Sequence, residues 1–225
     1  APHASLFKKI IMVIQWYGQS CFKIQSGDLV IAIDPFSKEI GLTAPRFRAD
    51  LVLVTHSHYD HANAESIAGS PFVIKGPGEY EIHGIHVEGI PTFHDTVSGK
   101  ERGLNTMYKI KMEGIILLHM GDFGEEKMRD ETVEQVGKVD IAMMPVGGTY
   151  TITAGEAAKI AAQIEPCIVI PMHYKIPGIK VDLDGAETFL KEMGASTMVA
   201  EDRLTLKKKD ITEEGSAKII LLKVS

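Results

Sequence analysis

Cysteine is nearly absent from this 225-residue chain, which has only Cys21 and Cys167. Each sits in an apolar, strand-like run, where a thiol behaves as a small hydrophobe. A disulfide scaffold is not expected, and a reducing, cytoplasmic compartment is. No apolar run approaches the ~18 residues of a membrane span, so no membrane partner is expected. Positive charge is also short: 24 Lys and Arg against 30 Asp and Glu leave a net charge of −6, which offers polyanions no global attraction. The one basic run, Lys207 to Lys209, reads as a solvated strand end, so long nucleic acid is not indicated. Linkers, charge blocks and low-complexity segments are missing too, which leaves a single domain over 12–225 as the expectation. Residues 1–11 are expected to be a leader or appended remnant, because Met12 would make a natural start and no cleavage-like site follows the short apolar part. Nothing in the composition sets an oligomeric state.

What the chain does have is short strands separated by glycine turns. The first half reads as strands Val13–Tyr17, Cys21–Gln25, Leu29–Asp34 and Leu51–Thr55, then a helix after His61 over "ANAESIAG". Further strands are expected at Phe72–Lys75, Tyr80–His83, His86–Ile90, Asn105–Lys111 and Ile115–His119. In the second half, strand Val139–Met144 leads through "PVGGTYT" to a helix over Ala154–Gln163, opened by Thr153 and Glu156 as a capping box. Strand Ile168–Ile170, a helix over Leu183–Met193 and strands Leu204–Lys207 and Ile219–Val224 follow. Two strand-rich halves, each with its own helices, imply an α/β sandwich of two sheets with helices on the outside.

The chemistry concentrates in "LVLVTHSHYDH", where an apolar strand ends in three imidazoles and a carboxylate. In extended backbone His56 and His58 point to one face and reach one ion. Asp60 and His61 follow the turn and are aimed at a neighbouring point, so a two-metal site would use both. By chance, H-x-H-x-D-H should arise roughly 8 × 10⁻⁴ times in a chain of this composition. Two other apolar runs end the same way: "IILLHMGD" delivers Asp122 and "CIVIPMHY" delivers His173. His94, in "GIPTFHDT", has similar placement. Ligands just beyond the carboxyl ends of core strands are held rigidly and face a common crevice. His83 and His86 read as hairpin or surface residues, and His3 falls in the expected leader. His119 reads as a core residue or as a support behind the ligands.

"THSHYDH", "HMGD", "MPVGGTYTI…IEPCIVIPMHY" and the opening "WYGQSCFKI…IAIDPF" together resemble the metallo-β-lactamase superfamily, and within it the stand-alone branch of ascorbate-6-phosphate lactonase-like metal hydrolases. The resemblance runs from about Trp16 to Tyr174. It implies the αββα sandwich, two mixed β-sheets with helices on the outer faces. It also implies that His56, His58 and His94 bind a first divalent metal and that Asp60, His61 and His173 bind a second. Asp122 would bridge the two, and Asp60 and Asp122 would be the catalytic carboxylates. Asp34 matches an aspartate that supports the His loop by hydrogen bonding. Gln19 stands where many branch members have His, and an amide there cannot carry a proton at neutral pH.

Imidazole and carboxylate ligands suit zinc or manganese, and nickel or iron as well. A bridged pair of such ions lowers the pKa of water from 15.7 toward about 7, which makes a metal-bridged hydroxide available for hydrolysis. A phosphodiester is the expected substrate, either a small molecule or a short nucleotide, RNA included. Two clues favour phosphate: the turn "GGTYT", with Gly148 and Thr149 before a capped helix, and Lys175 close after His173. The alternatives are a lactonase acting on a sugar-phosphate lactone or other carbonyl ester, and a non-hydrolytic metal-binding protein.

Overall fold

The computed structural model describes residues 11–212 and 215–225; of the expected leader only Ile11 falls within them, so that expectation lies outside the described residues. Five short strands come first: β1 (Met12–Gly18), β2 (Cys21–Ser26), β3 (Leu29–Ile33), β4 (Leu51–Val54) and β5 (Phe72–Lys75). Four more follow, β6 (Gly78–Ile82), β7 (Ile85–Phe93), β8 (Leu104–Met112) and β9 (Ile115–His119). The chain then alternates helix and strand through α1 (Asp130–Val136), β10 (Ile141–Pro145), α2 (Ala154–Ile164), β11 (Ile168–Met172) and α3 (Glu187–Glu192), and ends with β12 (Leu204–Leu206) and β13 (Lys218–Ile219). Two mixed sheets result, ordered β12-β1-β2-β3-β4-β5 and β13-β11-β10-β9-β8-β7-β6.

The sheets form because their sequences alternate or are apolar throughout. In β1 every second residue is buried, which sends Met12, Ile14 and Trp16 into the core. The parallel strands β10 and β11 are buried along their whole length, as expected of strands covered on both faces. Each large side chain taken fully out of water here, such as Phe22, Phe123 or Ile141, contributes about 1.5–3 kcal/mol. Helix α2 joins β10 to its parallel neighbour β11 and buries Ala157, Ile160, Ala161 and Ile164. Its capping box forms as the sequence predicts: Thr153 N donates to Glu156 Oε2 at 2.7 Å and Glu156 N to Thr153 Oγ1 at 3.3 Å. The hairpin turn at His83-Gly84 also forms, with both residues at positive φ (53° and 78°), and His83 and His86 lie exposed. No disulfide joins Cys21 and Cys167.

Several elements differ from expectation. The helix expected after His61 is only a 3-10 turn, Ala64–Ser66. Its backbone is claimed from outside: Asn63 N donates to Pro35 O at 2.8 Å, the Asn63 amide to Phe36 O at 3.0 Å and Ala68 N to Phe47 O at 2.9 Å. That turn and Phe47 therefore cover Val52 and Val54 on the outer face of the first sheet. Helix α3 starts at Glu187 because Asp184 is held by the neighbouring loops, its N–H donating to Gly147 O and its carbonyl accepting from Lys175 N, both at 2.8 Å. Helix α1 was not expected; with only Thr132 and Val136 buried, its apolar stripe is too short to read. The expected last strand is broken because the chain crosses between the sheets: Ile219 pairs with Val169 in one, and Val224 bridges to Trp16 in the other.

Candidate metal centre

Six strands deliver groups to one edge of the sandwich, each just beyond its carboxyl end. Gln19 follows β1, Asp34 follows β3, His56 to His61 follow β4, His94 follows β7, Asp122 follows β9 and His173 follows β11. Within each sheet these strands run in the same direction, as the antiparallel pairings of their neighbours require. Gln19, Asp34 and His173 hold left-handed backbone conformations with φ of 51°, 45° and 53°. Such geometry costs of order 1–3 kcal/mol per non-glycine residue and concentrates where a site demands it.

The seven residues named from the sequence come together as three trios of ligating atoms: His56, His58 and His94; Asp60, His61 and His173; and His56, His61 and Asp122. In each trio the atoms lie within 4.8 Å of one another. The first two trios are the two sets implied by the resemblance, and the third shares a member with each. Asp122 Oδ2 sits between the sets, 3.9 Å from His56 Nε2, 3.2 Å from His61 Nε2, 3.2 Å from His94 Nε2 and 3.1 Å from His173 Nε2. Among the described residues, four buried ring nitrogens lack a hydrogen-bond partner: Nε2 of His56 and His61, and Nδ1 of His94 and His173. In His56 and His61 the opposite nitrogen is bonded, so an uncompensated lone pair or N–H faces the cluster. Buried polar atoms are ordinarily satisfied, and five imidazoles with two carboxylates would be satisfied by cations of the zinc or manganese class.

A layer of hydrogen bonds behind these atoms sets their directions. Asp34, fully buried, accepts from Thr55 N at 2.8 Å and Thr55 Oγ1 at 2.7 Å, and its Oδ2 lies 2.9 Å from His61 Nδ1. Thr55 Oγ1 also meets His56 Nδ1 at 2.9 Å. Gln19 donates its amide to Asp60 Oδ2 at 2.8 Å, so the amide found in place of histidine orients a carboxylate without needing to titrate. Asn105 accepts from Asp122 N at 3.0 Å and donates to Thr92 Oγ1 and Met120 O, both at 2.9 Å. His119, buried and packed edge-on to Phe22, lies with Nε2 2.8 Å from Ser20 O and accepts from Gly121 N at Nδ1, at 3.1 Å. It thereby ties the Gln19–Ser20 turn to the loop that carries Asp122, filling both roles the sequence offered.

Electrostatics follow from this burial. His56 is driven down to about 2, first by loss of solvent and then by His61 beside it. Burial would raise Asp60, but its contact with His61 outweighs that and holds the carboxyl at about 2. Burial likewise opposes ionisation of Asp122, yet His173 and His61 hold it well below the usual carboxylate range. His61 moves the other way: burial would lower it, but Asp122 and Asp34 raise it well above the ordinary imidazole value. Without cations, then, one imidazolium lies between two carboxylates, and a cation would replace its proton.

Above the cluster opens a crevice of about 480 Å³ lined by His58, Tyr59, Asp60, His94, Arg102, Asp122, Tyr150, His173, Lys180, Val181 and Asp182. Its volume suits a small molecule. A larger cavity of about 860 Å³ lies at the far end of α2, away from every ligating trio. Two sequence clues point elsewhere than expected. Lys175 is exposed, outside the crevice lining, and donates to Val181 O at 3.2 Å. At the N-terminus of α2 Glu156 takes the Thr153 N–H, and in the turn before it Gly148 O accepts from Tyr150 N and Thr151 N; neither Gly148 nor Thr149 lines the crevice. Gly147 has a packing reason: a Cβ there would strike the His173 carbonyl oxygen, so only glycine lets this loop lie against His173. Arg102, Lys180, Tyr59, Tyr150, Asn105 and Asp95 were not singled out in the sequence. Of these, Asp95 directly after His94, Tyr59 inside "THSHYDH" and Tyr150 inside "GGTYT" lay beside or within the motifs, whereas Arg102, Lys180 and Asn105 carried no local signal.

Comparison with known proteins gives a consistent picture. A family model described as a beta-lactamase superfamily domain matches residues 13–173. A UPF0173 metal-dependent hydrolase of Pyrococcus abyssi is 31% identical over 83% of this chain and 94% of its own length. A second, from Thermococcus onnurineus, is 30% identical over 80% of this chain and 92% of its own. Among solved structures, a Thermotoga maritima protein described as a candidate zinc-dependent hydrolase of the metallo-beta-lactamase superfamily has a TM-score of 0.74 at 31% identity, covering 94% of this chain and 98% of that one.

Proposed function

Because this chain belongs to the metallo-β-lactamase superfamily, we propose that it is a metal-dependent hydrolase whose substrate is a small phosphodiester or short nucleotide. The observation that carries this reading is the convergence of seven ligating side chains, six of them around Asp122, with the buried Nε2 atoms of His56 and His61 turned to the cluster and lacking a hydrogen-bond partner among the described residues. His56, His58 and His94 would hold one divalent cation, Asp60, His61 and His173 a second, and Asp122 would serve both. Bound there, zinc or manganese supplies an activated water near neutral pH and a Lewis acid for the scissile group.

The chain's own residues do the rest. Asp34 and Thr55 fix the rings of His61 and His56 so that Nε2 of each faces the cluster. Gln19 and Asn105 hold Asp60 and Asp122 in place. Asp60, held at about 2, and Asp122, held well below the usual carboxylate range, are ionised near neutral pH, so they neutralise cation charge. Substrate enters through the crevice past Tyr59, Arg102 and Lys180.

The test is turnover by metal-free protein with zinc or manganese restored, using bis-p-nitrophenyl phosphate beside a panel of sugar lactones. Phosphodiester hydrolysis that requires the metal and is lost in His58→Ala supports the reading. The thermal midpoint of that variant should stay near wild type, since His58 is exposed and its strand supplies its own burial. Turnover of lactones alone would move the substrate to a carbonyl ester, and full activity in His58→Ala would refute the ligand assignment.

A further inference from the structure

The crevice carries more positive charge than a simple diester needs. Its wall includes two cations, Arg102 and Lys180, against one carboxylate, Asp182, that is not among the ligating trios. Neither cation has an ion-pair partner among the described residues, whereas Arg129 on the surface pairs with both Glu125 and Glu131. With the charges of Asp60 and Asp122 taken up by bound cations, Arg102 and Lys180 would leave the mouth of this cavity net positive in a chain of net charge −6.

Arg102 is also built into place. Asp95, the residue after His94, accepts from the backbone N–H groups of Val97, Gly99, Glu101 and Arg102 at 2.9, 2.7, 3.0 and 2.8 Å. One buried carboxylate thus winds the 95–102 loop around itself and fixes the Arg102 backbone relative to His94. The guanidinium lies over the Tyr150 ring, 5.6 Å from its centroid, with Nη2 3.5 Å from Thr149 O. Stacked this way, the planar fork keeps its remaining donors for a bidentate partner.

We propose that Arg102, with Lys180, forms a second anion subsite that takes a phosphate or carboxylate group of the substrate separate from the group at the metal centre. The substrate would then be a dianion or higher, with its second anion seated against the Arg102–Tyr150 stack. This rests on the proposed hydrolase reading only for the identity of the scissile group.

Isothermal titration of zinc-loaded protein with alkane-α,ω-bisphosphonates of increasing linker length tests it, using alkylphosphonates of matching length as references and checking metal content afterwards. Arg102 should make the bisphosphonate of fitting length about tenfold to a hundredfold tighter than its reference, the range for a charged hydrogen-bonded contact. Arg102→Gln should collapse that ratio, and Lys180→Gln should reduce it. Phosphonoalkanoates of the same length report the anion: equal gain supports a carboxylate partner, and a gain confined to bisphosphonates supports phosphate. A ratio near one at every linker length, or one that survives Arg102→Gln, overturns the subsite. Phosphodiester turnover with no such ratio would leave the hydrolase standing without the subsite. An Arg102-dependent ratio with no turnover would do the reverse.

Discussion

Replacing Asp34 by Asn tests whether this buried carboxylate aims the His loop at metal. The side chain keeps its size and loses one charge and one acceptor. In the native protein both oxygens accept, Oδ1 from Thr55 N and Oδ2 from Thr55 Oγ1 and His61 Nδ1. Asparagine has one acceptor and one donor for those positions. If its oxygen faces His61, its NH2 meets the Thr55 N–H, donor against donor. If it is flipped, its NH2 faces His61 Nδ1 and forces the ring proton onto Nε2, the atom turned toward Asp122. A buried donor left unpaired costs about 1–3 kcal/mol, or a fall in the thermal midpoint of about 2–4 °C per kcal/mol for a chain of this size. Loss of such a support typically costs a metal site about 10–100-fold in affinity, equivalent to about 1.4–2.7 kcal/mol. Zinc competition against a chromophoric chelator, paired with thermal melts of the metal-free proteins, measures both. Zinc affinity of Asp34→Asn within about twofold of wild type would refute the claim that Asp34 sets the His61 tautomer, however much the melt falls.

Two more outcomes are expected. His119→Leu should leave Ser20 O and Gly121 N buried and unpaired, costing about 1–3 kcal/mol each in urea denaturation. Burial lowers the His119 pKa, so below about pH 6.5 the unfolded chain binds a proton that the native protein refuses. The gap between wild type and variant should therefore narrow as pH falls through that region; a gap that widens contradicts a neutral His119. Metal affinity should also rise with pH through neutrality. His61 holds its proton above its ordinary pKa of 6.5 and must release it to bind a cation, so about one proton per bound pair should appear in a weakly buffered indicator assay. Binding independent of pH from 6 to 8, with no proton released, would exclude His61 as a ligand.

Strand positions and the seven candidate ligands were legible in the sequence because both depend on local pattern. Period-two burial in β1, unbroken apolar runs in β10 and β11, and polar groups just after a strand all lie within a few consecutive residues. Capping of α2 was legible for the same reason. Arg102, Asn105 and Lys180 were not, since what distinguishes them is proximity to residues far away in the chain. The helix expected after His61 failed because Pro35, Phe36 and Phe47 hold its backbone groups, a competition that local propensity does not register.

By itself, then, the order of residues determined which side chains leave the ends of core strands, and so which imidazoles and carboxylates were available to a metal. Only the tertiary structure decided how they are aimed: that Gln19 supports Asp60, that His119 joins the two sheets beneath Asp122, and that Arg102 rather than Lys175 faces the crevice. The physical reason is range. Strand periodicity is set by neighbours along the chain, whereas a hydrogen bond between residues 19 and 60, or 119 and 20, exists only after both sheets have closed on a common core.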